Sequence, residues 1–174
     1  AHAKVARAVL PEARRSAAPA FLLHVGDLSS AGDERSMQHQ LLGPAAELLA
    51  RLPLVPVRGN HDDDWSLLES CFPAPERTSF YDEILDYCLD YGAARIVVFD
   101  GNAPGRTRDR RMNWLRDRLA EAPDRWRLLA VHQPLWSRGD HADDPYTADL
   151  RALLEPYLVA GRVHAVFSGH DHSY

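Results

Sequence analysis

The sequence predicts an α/β fold with mixed β-sheets flanked by helices, and three observations carry that expectation. Short apolar runs of strand length alternate with longer stretches of helical periodicity. Four of the runs stop at small or polar groups: Leu22-Leu23-His24-Val25-Gly26-Asp27, Leu54 to Val57 before Gly59-Asn60-His61-Asp62, Leu128-Leu129-Ala130-Val131-His132, and Ala165-Val166-Phe167-Ser168-Gly169-His170-Asp171-His172. Finally, Asp86–Tyr91 and Arg95–Phe99 flank Gly92-Ala93-Ala94, a hairpin pattern that adds an antiparallel pair to the alternation. No internal repeat or low-complexity linker divides residues 1–174, so one domain is expected.

In order along the chain, residues 1–16 carry Val5, Val9 and Leu10 at helical spacing until Pro11, which is expected to interrupt the helix. Ala20 to Val25 reads as a buried strand closed by Gly26-Asp27. After a loop, Asp33 caps a helix running to about Leu52, with a break near Gly43-Pro44 and an apolar face of Leu41, Leu42, Leu48, Leu49 and Leu52. Strand Leu54–Val57 leads into the Asn60-His61-Asp62 turn and a short helix around Trp65–Cys71. Pro73 and Pro75 mark a loop before the hairpin, and residues 100–108 form a Gly/Pro/Arg loop. A helix from about Asp109 to Ala122 places Trp114, Leu115 and Leu119 on one side. Strand Trp126–Val131 delivers His132, and Ser137 to Pro145 is a polar loop. Thr147 is expected to cap a helix to Ala160 that buries Leu150, Leu153, Leu154 and Leu158. Strand Val163–Phe167 then leads to His170 and His172.

Bulk properties narrow the classes. Hydrophobic residues make up 45% and charged residues 26%, as in ordinary globular domains. A formal net charge of -5 argues against general polyanion binding, and the aromatic residues do not interleave with basic ones as a single-strand binding track would. No apolar run approaches the roughly 20 residues of a membrane span. Cys71 and Cys88 have neither CxxC nor zinc-finger spacing. A reduced cytosolic state is the simplest reading, and one disulfide in an exported protein is the other. There is no signal peptide and no initial Met, and an excised domain or processed product looks the same.

The polar groups at the strand ends carry the chemistry. Gly59-Asn60-His61-Asp62 taken alone is as readily a plain turn as a site. Repetition favours a site, because ligands at the C-terminal ends of several strands converge on one crevice. Asp27, Asn60, His132, His170 and His172 form an oxygen and nitrogen donor set without thiolate, suited to Mn, Fe or Zn. Asp27 has two carboxylate oxygens with which to bridge two ions, and ions about 3.5–4 Å apart can clamp a phosphoryl group and generate a hydroxide nucleophile. His24 and His164 read as core residues or supports behind the ligands, and His2 and His39 as surface helix residues. His141 either lines a substrate mouth or belongs to a polar loop. Arg106, Arg108, Arg110 and Arg111 either receive a phosphate or, the favoured reading, form a solvated loop and helix start.

Gly26-Asp27, Gly59-Asn60-His61-Asp62, Val131-His132 and Gly169-His170-Asp171-His172 together resemble the calcineurin-like metallophosphoesterases, in that family's order and from Gly26 to Tyr174. Asp90-Tyr91-Gly92, His132-Gln133-Pro134-Leu135-Trp136-Ser137 and Gly169-His170-Asp171-His172-Ser173-Tyr174 look like the purple acid phosphatase branch. That branch carries a metal-binding Tyr three residues after the bridging Asp, where this chain has Ser30, so a colourless two-metal centre is implied. The resemblance implies a metallophosphoesterase α/β sandwich, trimmed at both ends relative to the family, and a centre of two divalent metal ions. Asp27 would bridge, Asn60, His132 and His170 would complete one ion's site, and His172 would serve the other. His61 would face the phosphate as acid or charge stabiliser, with Asp62 orienting it. The family's opening Asp motif is missing, since no Asp precedes Asp27; residues 1–174 are therefore expected to be an incomplete catalytic domain whose first-strand motif lies upstream.

The expected function is dinuclear metal-dependent hydrolysis of a small phosphate ester by a metal-bound hydroxide, with monoester, cyclic and other small diester substrates left open. The alternatives are a metal-dependent nuclease on the same motifs and a degenerate, non-catalytic phosphoesterase domain.

Overall fold

The computed structural model describes residues 2–15, 20–73, 84–103 and 107–172. Its elements are α1 (His2–Ala13), β1 (Leu22–His24), α2 (Glu34–Met37), α3 (Ala46–Leu49), β2 (Leu54–Pro56), α4 (Trp65–Cys71), β3 (Tyr87–Tyr91), β4 (Ala94–Phe99), α5 (Arg108–Ala120), β5 (Trp126–Val131), α6 (Pro145–Ala160) and β6 (Ala165–Phe167). A π-helical turn, Gln38–Leu42, joins α2 to the segment before α3.

Two sheets result. β1 and β2 pair in parallel, and the second sheet runs β3-β4-β5-β6, antiparallel between β3 and β4 and parallel thereafter. The apolar runs of β4 and β5 are continuous because both faces are covered. Val97, Phe99, Leu129 and Val131 pack with Met112, Leu115 and Leu119 of α5 and Leu150, Leu154 and Leu158 of α6. Ile96, Val98 and Ala130 instead meet Val55 and Val57, filling the space between the sheets. On the far side, Leu22 joins Ala6 and Ala13 of α1 with Leu48 and Leu52. Helices, small sheet, large sheet and helices thus form four layers, the mixed α/β sandwich expected from the sequence. Among the described residues no helix is long and apolar enough to cross a membrane.

Several local expectations are corrected. Pro11 does not interrupt α1, which continues to Ala13. The bond it removes would run to Arg7; both residues are exposed, so water can take the carbonyl. The Asp33 cap is present, its side chain accepting from Ser36 N, and the helical run of α2 and the π turn ends at Gly43-Pro44 as expected; the departure is that its second half is π-helical rather than α. Asp144, not Thr147, caps α6: its carboxylate accepts from Tyr146 N, and Pro145 supplies the preset φ of a first helical position. Thr147 is instead buried. His164 is exposed, accepting from Arg127 N on Nδ1 and lying edge-on to Trp126. His2 is half-buried against His24, whereas His39 is exposed as expected. Cys71 and Cys88 are both free. Pro75 and Arg106, both expected in loops, lie outside the described residues.

The Arg cluster divides. Arg108 and Arg110 are solvated, but Arg111 is among the largest fully buried side chains. Its guanidinium donates to both Asp86 oxygens at 2.5 and 2.7 Å and to the Asp100 carbonyl at 2.6 Å. The sequence carried a signal for this: Arg111 precedes Leu115 by four residues and Leu119 by eight, which puts it on the buried face of α5.

Candidate metal centre

The C-terminal ends of β1, β2, β5 and β6 meet at one place, because these strands run parallel within their sheets. Tight backbone passages bring the ends together. Gly26 has φ +95°, and any side chain there would strike the His132 ring; one at Gly59 would strike the Asp27 backbone. Asp27 follows in the left-handed region at φ 54°, as do His170 at 70° and His172 at 52°. Three non-glycine residues in that region at one site mark a backbone held by its surroundings.

His132 organises the donors. Its Nδ1 lies 2.7 Å from the Val25 carbonyl, which can only accept, so Nδ1 carries the proton. Nε2 then faces Asn60 Oδ1 at 3.0 Å, His170 Nδ1 at 3.2 Å and Asp27 Oδ1 at 3.4 Å. The candidate ligand atoms of Asp27, His132 and His170 all lie within 4.8 Å of one another. An imidazole lone pair turned toward two oxygens is repulsive unless a cation is shared among them. A proton can play that part. Burial lowers the affinity of His132 for it, but the Asp27 and Val25 contacts outweigh burial and raise its pKa above the ordinary value. Burial also opposes ionisation of Asp27, yet His132 and the His61 amide prevail and hold that carboxyl down at about 2. The His170 pKa is lowered, first by burial and then by His132 and His141. The donor set of carboxylate, amide oxygen and imidazoles fits a divalent ion of the Mn, Fe or Zn kind.

The remaining expected residues occupy distinct places. His61 is exposed, and its backbone N–H donates to Asp27 Oδ1 at 3.1 Å. His172 is exposed and stands outside the group around His132. Asp62 does not orient His61 through its carboxylate. It is 1% exposed and accepts from Leu28 N at 2.9 Å, Gly59 N at 2.8 Å and, more weakly, Ser29 N at 3.4 Å. Those amides flank Asp27 and Asn60, so Asp62 ties the β1 loop to the β2 loop. Ser30, where the purple branch has Tyr, is tied to Gln40: its N–H donates to Gln40 Oε1 and its hydroxyl accepts from Nε2.

His141, left open between a substrate mouth and a polar loop, stands beside the site, and the part played by Asp171 escaped the sequence reading. His141 lies with its ring 4.0 Å from that of His170, which draws the 137–144 loop onto the site. Asp171, between the two histidines, fastens that loop by accepting from the Ser137 hydroxyl and from His141 N at 2.9 Å.

A match to a family profile decides what this arrangement is related to: the calcineurin-like phosphoesterase profile covers residues 2–174. The chain belongs to the calcineurin-like phosphoesterases. Among relatives of this calcineurin-like chain is a glycerophosphodiester phosphodiesterase GpdQ of Enterobacter lignolyticus (strain SCF1), 29% identical over 158 residues, 85% of this chain and 54% of that protein. Purple acid phosphatase 1 of Ipomoea batatas is 28% identical over 72% of this chain and 29% of its own length. A probable cyclic nucleotide phosphodiesterase of Rhodococcus erythropolis is 31% identical over 90% of this chain and 52% of that protein. The chain thus spans about half, or less, of these relatives. In fold it resembles GAP50 of Plasmodium, the anchor in the inner membrane complex, with a TM-score of 0.71 at 17% identity over 98% of this chain and 60% of that one. It also resembles a purple acid phosphatase of yellow lupin (Lupinus luteus) seeds, with a TM-score of 0.66 at 19% identity over 97% of this chain and 33% of that one.

Proposed function

We propose that this domain hydrolyses small phosphate esters with the aid of two divalent metal ions. The observation that carries the reading is the His132 Nε2 atom facing Asn60 Oδ1, Asp27 Oδ1 and His170 Nδ1 while its Nδ1 proton is committed to Val25. One ion would be held by Asp27, Asn60, His132 and His170. The other would share Asp27 and use His172, which with only two assigned donors should bind more weakly in the 174-residue chain. A bound ion pair supplies Lewis-acid activation of water and neutralises charge on the phosphoryl oxygens.

The protein's own side chains do the rest. Val25 fixes the His132 tautomer, so Nε2 is the ligating atom. Asp62 fixes the spacing of the two loops. His61, exposed and anchored through its backbone to Asp27, is free to donate a proton or charge to the phosphate or leaving oxygen. Relatives named as phosphodiesterases and as phosphatases support both diester and monoester substrates.

The test is metal analysis together with hydrolysis of p-nitrophenyl phosphate and bis(p-nitrophenyl) phosphate. His132→Ala should lose bound metal, while His61→Ala should keep it and lose about 10²-fold or more in kcat. Full metal content in His132→Ala would overturn the ligand assignment. Near-normal kcat in His61→Ala on a poor leaving group would remove His61 from the chemistry.

A further inference from the structure

The β4–α5 connection contains a polar side chain that the chemistry above does not use. Asp100, at the end of β4, is fully buried, and Asn102 follows it after a tight Gly101. Gly101 is tight because any side chain there would strike Gln133. Asn102 is held from its own side by Asp100 Oδ1, which accepts from both its backbone N at 2.9 Å and its Nδ2 at 3.1 Å. The other Asp100 oxygen accepts from Leu85 N at 3.1 Å and pairs with Arg58 Nη1 at 3.4 Å.

What Asn102 reaches is the important part. Its Nδ2 also donates to the Arg58 carbonyl at 3.1 Å, and its Oδ1 accepts from Gln133 Nε2 at 2.7 Å. Arg58 lies two residues before Asn60, and Gln133 directly follows His132. One amide side chain therefore bridges the two segments whose donor atoms, Asn60 Oδ1 and His132 Nε2, stand 3.0 Å apart. Donor and acceptor chemistry fixes the direction of every bond. A carboxylate and a carbonyl occupy the Nδ2 side, so Oδ1 must turn to Gln133, and Gln133 must present its NH2. Among the described residues the other end of this amide, Gln133 Oε1, is buried without a partner, so Asn102 is the contact that holds Gln133.

We propose that Asn102 is a positioning residue that sets the separation of the Asn60 and His132 donors and so pre-organises them for a divalent ion. It touches neither the ion nor the substrate; it acts through Arg58 and Gln133. Only an amide satisfies the position. Asp in its place would turn a carboxylate oxygen toward the Arg58 carbonyl and the Asp100 carboxylate, and an apolar residue would strand the half-buried Arg58 carbonyl and the buried Gln133 amide. The inference rests on the metal reading above and is tested by metal binding, apart from turnover.

The experiment is a cobalt(II) titration of the chain, read by visible d–d absorption and by calorimetry, for the wild type and for Asn102→Ala, Asn102→Asp, Gln133→Ala and the Asn102→Ala/Gln133→Ala double variant. Asn102→Ala and Asn102→Asp should each weaken binding about 10- to 100-fold, the scale for supports behind metal ligands, and should shift the absorption bands. Gln133→Ala should cost less, and the double variant no more than Asn102→Ala alone, because Gln133 is served through Asn102. Leu119→Ala, a core truncation in α5 away from the site, controls for lost stability and should leave affinity and spectrum unchanged. If Asn102→Ala does not fold, the near-isosteric Asn102→Asp carries the test. Wild-type affinity and spectrum in either Asn102 variant overturn the inference. So does a fully additive double variant, or an equal affinity loss in Leu119→Ala. A wild type that binds no cobalt(II) overturns the metal reading itself and this inference with it, which separates the two failures.

Discussion

Replacing Asp62 with Ala should loosen the metal loops and the fold together. The carboxylate accepts short bonds from Leu28 N at 2.9 Å and Gly59 N at 2.8 Å, beside a long one from Ser29 N. Bonds to a charged group contribute about 1.5–3 kcal/mol each, so the two short ones sum to roughly 3–6 kcal/mol. Part of that is offset. Burial pushes the Asp62 carboxyl above its ordinary range against the pull of these amides, so its removal also relieves a buried charge. The net loss should be about 2–4 kcal/mol, or a Tm lower by roughly 4–16 °C in a domain of this size. Asp62→Asn keeps one acceptor and turns an NH2 toward the other amide, so it should cost nearly as much despite equal volume. Urea unfolding gives the stability term, and manganese(II) calorimetry on the folded variants gives the other, expected to fall about 10-fold or more. Stability within 1 kcal/mol of wild type, or unchanged manganese(II) affinity, would refute the role of Asp62 as the tie between the loops.

The Asp86–Arg111 pair and Cys88 give two further predictions. Arg111→Met leaves the Asp86 carboxylate buried without its guanidinium partner and should cost about 3–5 kcal/mol in urea unfolding. Asp86→Leu/Arg111→Met should regain part of that loss, and a double variant as unstable as the sum of the singles would contradict it. Burial pushes the Cys88 thiol up to about 11, with Arg95 opposing and Asp90 adding. The folded state therefore keeps the proton longer than the unfolded chain. The resulting stability is complete below the unfolded thiol pKa and is lost as pH rises through the folded value. In a Cys71→Ser background, alkylation of Cys88 by iodoacetamide should stay slow at pH 8 and accelerate only as pH approaches 11; rapid reaction at pH 8 would refute the burial argument.

Much of the fold was legible because the covered strands and amphipathic helices wrote their periods plainly. Trp126–Val131 and Trp65–Cys71 occur over the expected residues, and the buried leucines of α6 are those its spacing implied. The errors fell where a polar or special residue acts through a long-range contact. Thr147 was expected to cap a helix, but Pro145 and Asp144 start it earlier, and Thr147 is buried within the first turn. Arg111 looked solvated because its charge was weighed and its register was not. His141 stayed open between a substrate mouth and loop polarity because its ring contact with His170 depends on Asp171 fastening the loop.

The candidate ligands were nameable for a related reason. Each stands at the end of its own strand, so a local pattern marked it, and the parallel strands carried Asp27, Asn60, His132 and His170 to one place. The supports have no such mark. Asp62 and Asn102 sit in turn-forming stretches rich in Gly, Asn and Asp, where their residue types are commonplace. What distinguishes them is that their polar atoms are spent on other loops: Asp62 on the amides beside Asp27 and Asn60, and Asn102 on the residues beside Asn60 and His132. A candidate donor set can thus be named from sequence while its spacing cannot. Spacing is fixed largely by hydrogen bonds whose partners lie 31 to 44 positions apart. Substitutions at Asp62 or Asn102 should therefore change metal affinity while every ligand remains in place.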